Sequence, residues 1–188
     1  MTISLFTDDA TARDELSKRA IPHMVLSEGC DQSLTAPPTF EFGANATDCA
    51  LGRFRVNGNA IVTGGPGTPG LTACTALLEH GISGLAIFDV NAAQSERQLV
   101  SLKKRFPSRI IVCFQVDLTD ETAVQQAVDN AAKTLGSLNH LLCFSGIVGC
   151  VNAMDMSAAQ WRRIMDVNTT GSFLCTRAVA RKMAKQGT

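Results

Sequence analysis

Residues 60–81 read "AIVTGGPGTPGLTACTALLEHG", and this stretch decides how the rest of the chain is understood. Five glycines and two prolines are crowded between apolar residues. Ala60–Val62 closes a short apolar run of the kind that forms a buried strand, while Leu71, Cys74 and Leu77/Leu78 recur at helical spacing until Gly81 stops them. The glycines therefore fall where a strand hands over to a helix. Gly65, Gly67 and Gly70 spell G-x-G-x-x-G. In that setting glycines permit positive φ and let backbone approach a pyrophosphate. The helix behind them offers unpaired N–H groups and the positive end of its dipole. Thr68 is placed to cap this helix, with Pro69 at its first position.

A glycine motif alone is a weak signal, so the neighbouring segments decide its meaning. "LAIFDV" is a second buried run, and its acid, Asp89, follows Gly70 by 19 residues. A carboxylate there accepts hydrogen bonds from the adenosine ribose hydroxyls and repels a 2′-phosphate. No Arg or Lys lies in the glycine loop or just after the second run, so NAD is expected over NADP. The plainer alternative is a tight turn followed by an unrelated surface Asp. A methyltransferase also pairs a glycine loop with an acid, but "VTGGPGTPG" carries no acid before its glycines.

The rhythm continues to the end of the chain. "AAQSERQLVSLKKRF" is helical up to Pro107, "RIIVCFQVDL" is a third apolar run, "TDETAVQQAVDNAAKTLG" is a helix ending at Gly136, and "NHLLCFSG" is a fourth run. "SAAQWRRIMDVNTTGSFLCTRAVARKM" then predicts one long helix over residues 157–186. Strands apolar throughout, alternating with helices, imply an α/β fold with a parallel sheet covered on both faces. On the last helix, Trp161, Ile164/Met165, Asn168, Gly171 and Cys175 form one predicted apolar stripe, which places a polar amide among apolar neighbours. Gly171 costs a helix about 1 kcal/mol relative to Ala, so close packing or a distortion is expected there.

At these residues the chain resembles the short-chain dehydrogenase/reductase family. The family's T-G-x-x-x-G-x-G is matched by Thr63, Gly64 and Gly70, with Thr68 in place of the middle glycine. Its acid after strand two is matched by Asp89, and its D-[LV] after strand three, which flanks the adenine, by Asp117 and Leu118. Its N-N-A-G after strand four is met by Ser145 and Gly146, with Cys143 and Phe144 replacing the asparagines. "MDVNTTGSF" resembles D-V-N-x-x-G-x-F, in which the Asn, here Asn168, supports a water-linked proton relay to the catalytic lysine. The resemblance spans residues 59–188 and implies a partial Rossmann (doubly wound) fold with four parallel strands in the order 3-2-1-4. It implies NAD binding through Thr63, Gly64, Gly65, Gly67, Thr68, Gly70, Asp89, Asp117, Leu118, Ser145 and Gly146, with Asn168 as the catalytic-site residue.

The family's catalytic serine and Y-x-x-x-K belong to strand five and the helix after it. This sequence ends at "KQGT" and contains no tyrosine. The expectation is therefore the cofactor half of an oxidoreductase acting on alcohols, sugar alcohols or ketones, cut before its active site and inactive as it stands. The alternative is a non-catalytic dinucleotide-binding module or truncated remnant. Self-association through the 157–186 helix is also expected, because its inner face and strand four lack their family neighbours.

The remaining composition narrows the partners. Residues 1–52 hold eight acids and three bases, a net charge of −5, and show little periodicity; they are read as a flexible acidic arm ahead of the 53–188 domain. The other residues carry +5 without a dense basic run, so nucleic acid is not an expected partner. No apolar run spans a bilayer and the first residues carry no apolar leader, so a cytoplasmic protein is expected. The seven cysteines (Cys30, Cys49, Cys74, Cys113, Cys143, Cys150, Cys175) show no metal-ligand spacing and are read as small buried side chains. His80 and His140 flank strands, and His23 lies in the arm, so no histidine is a catalytic candidate and no metal is expected.

Overall fold

The computed structural model describes residues 52–187, so the acidic arm expected over residues 1–52 lies, apart from Gly52, outside the described residues. Four strands, β1 (Asn59–Thr63), β2 (Gly84–Asp89), β3 (Ile110–Gln115) and β4 (His140–Cys143), alternate with helices. The first three helices are α1 (Thr68–Glu79), α2 (Glu96–Arg105, entered through a 3₁₀ turn at Ala92–Ser95) and α3 (Glu121–Leu135). Then come α4 (Ala158–Met165) and α5 (Gly171–Gln186). All strand pairs are parallel and the sheet order is β3-β2-β1-β4, as the resemblance implied. In register, Ile61 of β1 lies between Ala86 of β2 and Leu141 of β4.

Strand alternation divides the apolar side chains between two cores. Ala60, Val62, Leu85 and Ile87 point to one face, where Cys74 and Leu78 of α1 and Leu102 of α2 cover them. Ile61, Ala86 and Phe88 point to the other, beneath Val124, Ala127, Val128 and Ala131 of α3 and Leu174, Cys175, Ala178 and Val179 of α5. The sheet is thus wound on both sides. β1 and β2 are buried almost throughout, whereas β4, at the sheet edge, is only half covered. Asp120 caps α3 by accepting from the backbone N–H groups of Thr122 and Ala123 at 2.9 and 3.0 Å, and Gly136 ends it at φ 83°.

Three sequence expectations need correction. Gly67, in extended geometry, caps α1, which makes Thr68 the first helical residue and puts Pro69 second. Glycine takes this position without a side-chain cap, and the Leu71 N–H donates to its carbonyl at 2.8 Å. The single helix expected over 157–186 is two helices joined by a π turn at Asp166–Thr170. The predicted apolar stripe is consequently buried only in its second half: Gly171 and Cys175 are inside, while Trp161 is 56% exposed. Finally, of the described cysteines only Cys74 and Cys175 are buried; Cys143 and Cys150 are exposed, since β4 is an edge strand and the loop after it runs over the surface. Burial pushes the Cys74 and Cys175 thiols up to about 12. No described helix is long and apolar enough to cross a membrane.

At the amino end of the sheet, buried Asn59 ties β1 to the α3–β4 connection. Its side-chain amide donates to the carbonyls of Leu135 and Ser137, each at 3.1 Å, and to the Ser137 hydroxyl at 2.9 Å. Its backbone N–H donates to Asn139 Oδ1 at 3.0 Å. The pocket is filled, since a Cβ on neighbouring Gly84 would lie 2.5 Å from Asn59 Oδ1. Replacing Asn59 by Ala strips donors from these buried carbonyls and is expected to cost about 1–3 kcal/mol. Urea unfolding should show a lower midpoint at unchanged slope; an unaltered midpoint would mean that this network adds nothing to stability.

Candidate functional site

β1 is flanked by β2 on one side and β4 on the other, so the chain reverses its winding direction there. Connections leaving in opposite directions open a crevice at the carboxyl ends of the strands. A cleft of about 730 Å³ occupies that place. Every strand end contributes to it: Gly64 and Gly67 after β1, Asp89 and Val90 after β2, Val116–Thr119 after β3, and Phe144–Ile147 after β4. One face of α4 and the start of the π turn close it.

The glycine loop is shaped by contact more than by conformation. Among its glycines only Gly64 has positive φ, at 65°. A Cβ on Gly64 would sit 2.7 Å from the Ser145 backbone nitrogen, so the end of β1 and the loop after β4 touch backbone to backbone. A Cβ on Gly70 would lie 2.2 Å from the Gly64 carbonyl oxygen, which brings the first turn of α1 against the loop. Gly65 is closed off by Ile87, whose Cγ2 would lie 2.6 Å from an added Cβ. Gly67, by contrast, is exposed and fronts the cleft, with only the Gly64 carbonyl near an added Cβ at 3.3 Å. Thr63 lies beneath, fully buried, with its hydroxyl accepting from Ser145 N–H at 3.3 Å.

Two carboxylates from neighbouring strand ends face the cleft. Asp89 accepts from the Asn91 N–H at 2.8 Å, which fixes its rotamer at the end of β2. Asp117 accepts from the backbone N–H and the hydroxyl of Thr119, at 2.9 and 2.7 Å. These donors hold its carboxyl below the usual range, the backbone bond contributing most. Leu118 beside it packs against the start of α5, where a Cβ on Gly171 would come within 3.0 Å of the Leu118 Cβ. This is the close packing expected at Gly171, and the π turn is the distortion.

Asn168 sits in the middle of the π turn. Its carbonyl oxygen accepts from Ile147 N–H at 2.8 Å and its amide donates to the Ile147 carbonyl at 2.9 Å. Both polar ends of the side chain are thus committed to one backbone unit of the loop after β4. In the same region a Cβ on Gly146 would lie 3.3 Å from Asn168 Oδ1, and one on Gly149 2.8 Å from Ile164 Cδ1.

Of the residues singled out in the sequence, Gly64, Gly67, Asp89, Asp117, Leu118, Ser145 and Gly146 line the cleft. Thr63, Gly65 and Gly70 lie behind the lining and shape it, exposed Thr68 lies outside it, and Asn168 braces one wall. Sequence reasoning passed over Arg162 and Arg163, which line the cleft from α4. Their spacing from Ala159 and Asp166 is the one signal that marks a shared helical face.

The arrangement fits a dinucleotide. An exposed glycine before a helix N-terminus leaves backbone N–H groups for a pyrophosphate. Asp89, at the end of the adjacent strand, has a carboxylate able to accept from paired hydroxyls, and Val116 and Leu118 add apolar lining at the end of β3.

A family model described as short chain dehydrogenase matches residues 58–188. The chain is similar to the short-chain dehydrogenase fogB of Aspergillus ruber, 31% identical over 70% of this chain and 50% of the relative. It is similar also to 2-(S)-hydroxypropyl-CoM dehydrogenase 3 of Xanthobacter autotrophicus, 33% identical over 66% of this chain and 48% of the relative. Among solved structures, an NADPH-dependent 3-quinuclidinone reductase from Rhodotorula rubra superposes with a TM-score of 0.66 at 25% identity, covering 81% of this chain and 56% of that one. The chain spans about half the length of the curated relatives it matches.

The Asp117–Thr119 pair yields a test with a defined sign. A carboxyl depressed in the folded chain contributes stability above its ordinary titration range, and that contribution is lost as pH falls through the depressed value. Thr119→Val keeps the backbone donor and removes the hydroxyl. The Asp117 titration, followed by carboxyl ¹³C NMR, should move up towards the usual range without reaching it. An unmoved titration would show that the hydroxyl contributes nothing.

Proposed function

The chain belongs to the short-chain dehydrogenase family, and on that premise we propose that residues 59–187 hold the nicotinamide dinucleotide of an NAD-dependent oxidoreductase of alcohols, sugar alcohols or ketones. The observation that carries this reading is the convergence of Gly67, Asp89 and Asp117 on one cleft at the carboxyl ends of the strands. Gly67 and the opening turn of α1 take the pyrophosphate. Asp89 takes the adenosine ribose hydroxyls and Asp117–Leu118 flank the adenine. When bound, the dinucleotide supplies the hydride acceptor or donor.

NAD is favoured over NADP because Asp89 would meet the 2′-phosphate with like charge. The NADPH-dependent reductase of known structure is a different protein, and the acid after β2 is the feature on which the preference here rests. Asn168 is assigned a positioning role: it holds the Ile147 backbone, and with it the wall that the loop after β4 gives the cleft. The sequence contains no tyrosine, so the 188 residues do not carry the acid/base that the family resemblance implies. They are read as binding the dinucleotide without turnover. Exposed Trp161, Met165 and Phe173 support self-association through the 157–186 segment.

Calorimetric titration tests the reading. NAD should bind the wild type more tightly than NADP, and S-adenosylmethionine should not bind. Asp89→Ala should weaken NAD by about 10-fold or more, the loss of hydrogen bonds to a charged group, and narrow the gap to NADP. Tighter NADP binding by the wild type would overturn the preference. NADH absorbance followed over polyols and ketones should stay flat, and turnover by the 188-residue chain would show that another residue performs the proton chemistry.

A further inference from the structure

α4 presents two different faces. Ile164 and, just beyond the helix, Asn168 engage the loop after β4, through Gly149 and Ile147. Ala159, Arg162, Arg163 and Asp166 recur at three- and four-residue spacing and front the cleft instead. Both arginines are exposed, and neither has an ion pair, hydrogen bond or ring contact with its side chain among the described residues. Other cations of the same domain are engaged: Arg105 with Glu79, Arg177 with Glu121, and Lys182 with Asp129. Both arginines line the same cleft as Val116, Asp117 and Leu118, the residues at the end of β3. On the reading above, that is the adenosine end.

We propose that Arg162 and Arg163 form the outer wall of the base subsite and bind adenine through their guanidinium groups. This rests on the cleft being a dinucleotide site. The charge around them decides between a base and a further phosphate. Asp89, Asp117 and Asp166 line the same cleft, three carboxylates against two guanidinium groups. A phosphate placed there would face net negative charge, whereas a neutral, electron-rich ring would not. Guanidinium is suited to such a ring: its plane lies over a π face, and its N–H groups donate to ring nitrogens. Val116 and Leu118, which line the same cleft, supply apolar contacts for the ring. Arginine is thereby bound to carry specificity for the base, while the glycine loop carries the pyrophosphate.

The experiment is calorimetry on the full 188-residue chain with NAD, ADP-ribose and nicotinamide mononucleotide, the last lacking adenine. Wild type is compared with Arg162→Ala, Arg163→Ala, the double variant, and the double Arg→Lys variant. Circular dichroism checks the fold. The double Ala variant should weaken NAD and ADP-ribose alike, by about 5- to 30-fold on the strength of partly desolvated cation–π contacts, and leave the mononucleotide unchanged. The Lys variant should recover only part of the loss, since charge is retained and the planar donor is not. Unchanged ADP-ribose binding by the double Ala variant, alongside normal wild-type binding of NAD, would overturn this assignment and leave the dinucleotide reading intact. Complete recovery by Lys would also overturn it, by showing that charge alone matters. Absence of NAD binding by the wild type would remove both.

Discussion

Backbone touches backbone at Gly64. Its α-carbon has no room for a side chain against Ser145 on one side, and its carbonyl oxygen excludes a side chain at Gly70 on the other. Three segments far apart in sequence therefore meet at one residue: the end of β1, the opening of α1 and the loop after β4. The rest of the cleft follows from that contact. With α1 drawn close, its N-terminus points into the crevice; with the β4 loop drawn close, Ser145 and Gly146 become one of its walls. Asn168 then fastens the same loop from the opposite side, through Ile147. Loops that line a site are ordinarily its most mobile parts, and here one is held at its start, at Ser145 by a contact that a methyl group on Gly64 would break and at Ile147 by two hydrogen bonds.

Much of this was legible in the sequence, and the reasons differ from segment to segment. The four apolar runs announced a two-sided parallel sheet because Ile61 and Val62, or Ile87 and Phe88, are both apolar although they point to opposite faces. The glycine spacing and Asp89 located the cleft because both depend on local chain geometry. The motif "DVNTTG" marked Asn168 and Gly171 as unusual, yet its physical content stayed hidden: a π turn is a hydrogen-bonding choice of the backbone, and no residue type demands it. Thr68 looked like the better cap by side-chain chemistry, and the extended geometry of Gly67 displaced it by one position. Arg162 and Arg163 were invisible because adjacent arginines on an exposed helix look like ordinary solvated charge until the helix is placed beside a cleft.

Polar groups buried in the sheet are few and fully used. Asn59 and Thr63 are the buried polar residues of the described domain, and they sit at the two ends of β1. One joins the strand to the α3–β4 connection, the other to the loop after β4. β1 is thus pinned laterally at both ends while its middle is held only by apolar packing and ladder bonds. The ion pairs that link α3 to α5, Glu121 with Arg177 and Asp129 with Lys182, are exposed and add little by themselves; Arg177 also lies over the Phe173 ring, which limits the rotamers of both.

The π turn has a consequence for how this segment tolerates length change. A helix advances about 100° per residue, and a π turn accommodates one residue more than the α-helical hydrogen-bonding pattern would. It therefore sets the rotational phase between the cleft-facing side of α4 and the core-facing side of α5. Deleting one residue between Asp166 and Thr170 would turn α5 by roughly a quarter of a revolution relative to α4. Leu174, Cys175, Ala178 and Val179 would swing off the sheet, or Ala159, Arg162 and Arg163 would swing away from the crevice. Substitutions in these five residues are matters of local chemistry, but insertions and deletions among them are matters of gearing: they disengage one side of the helix pair from the other.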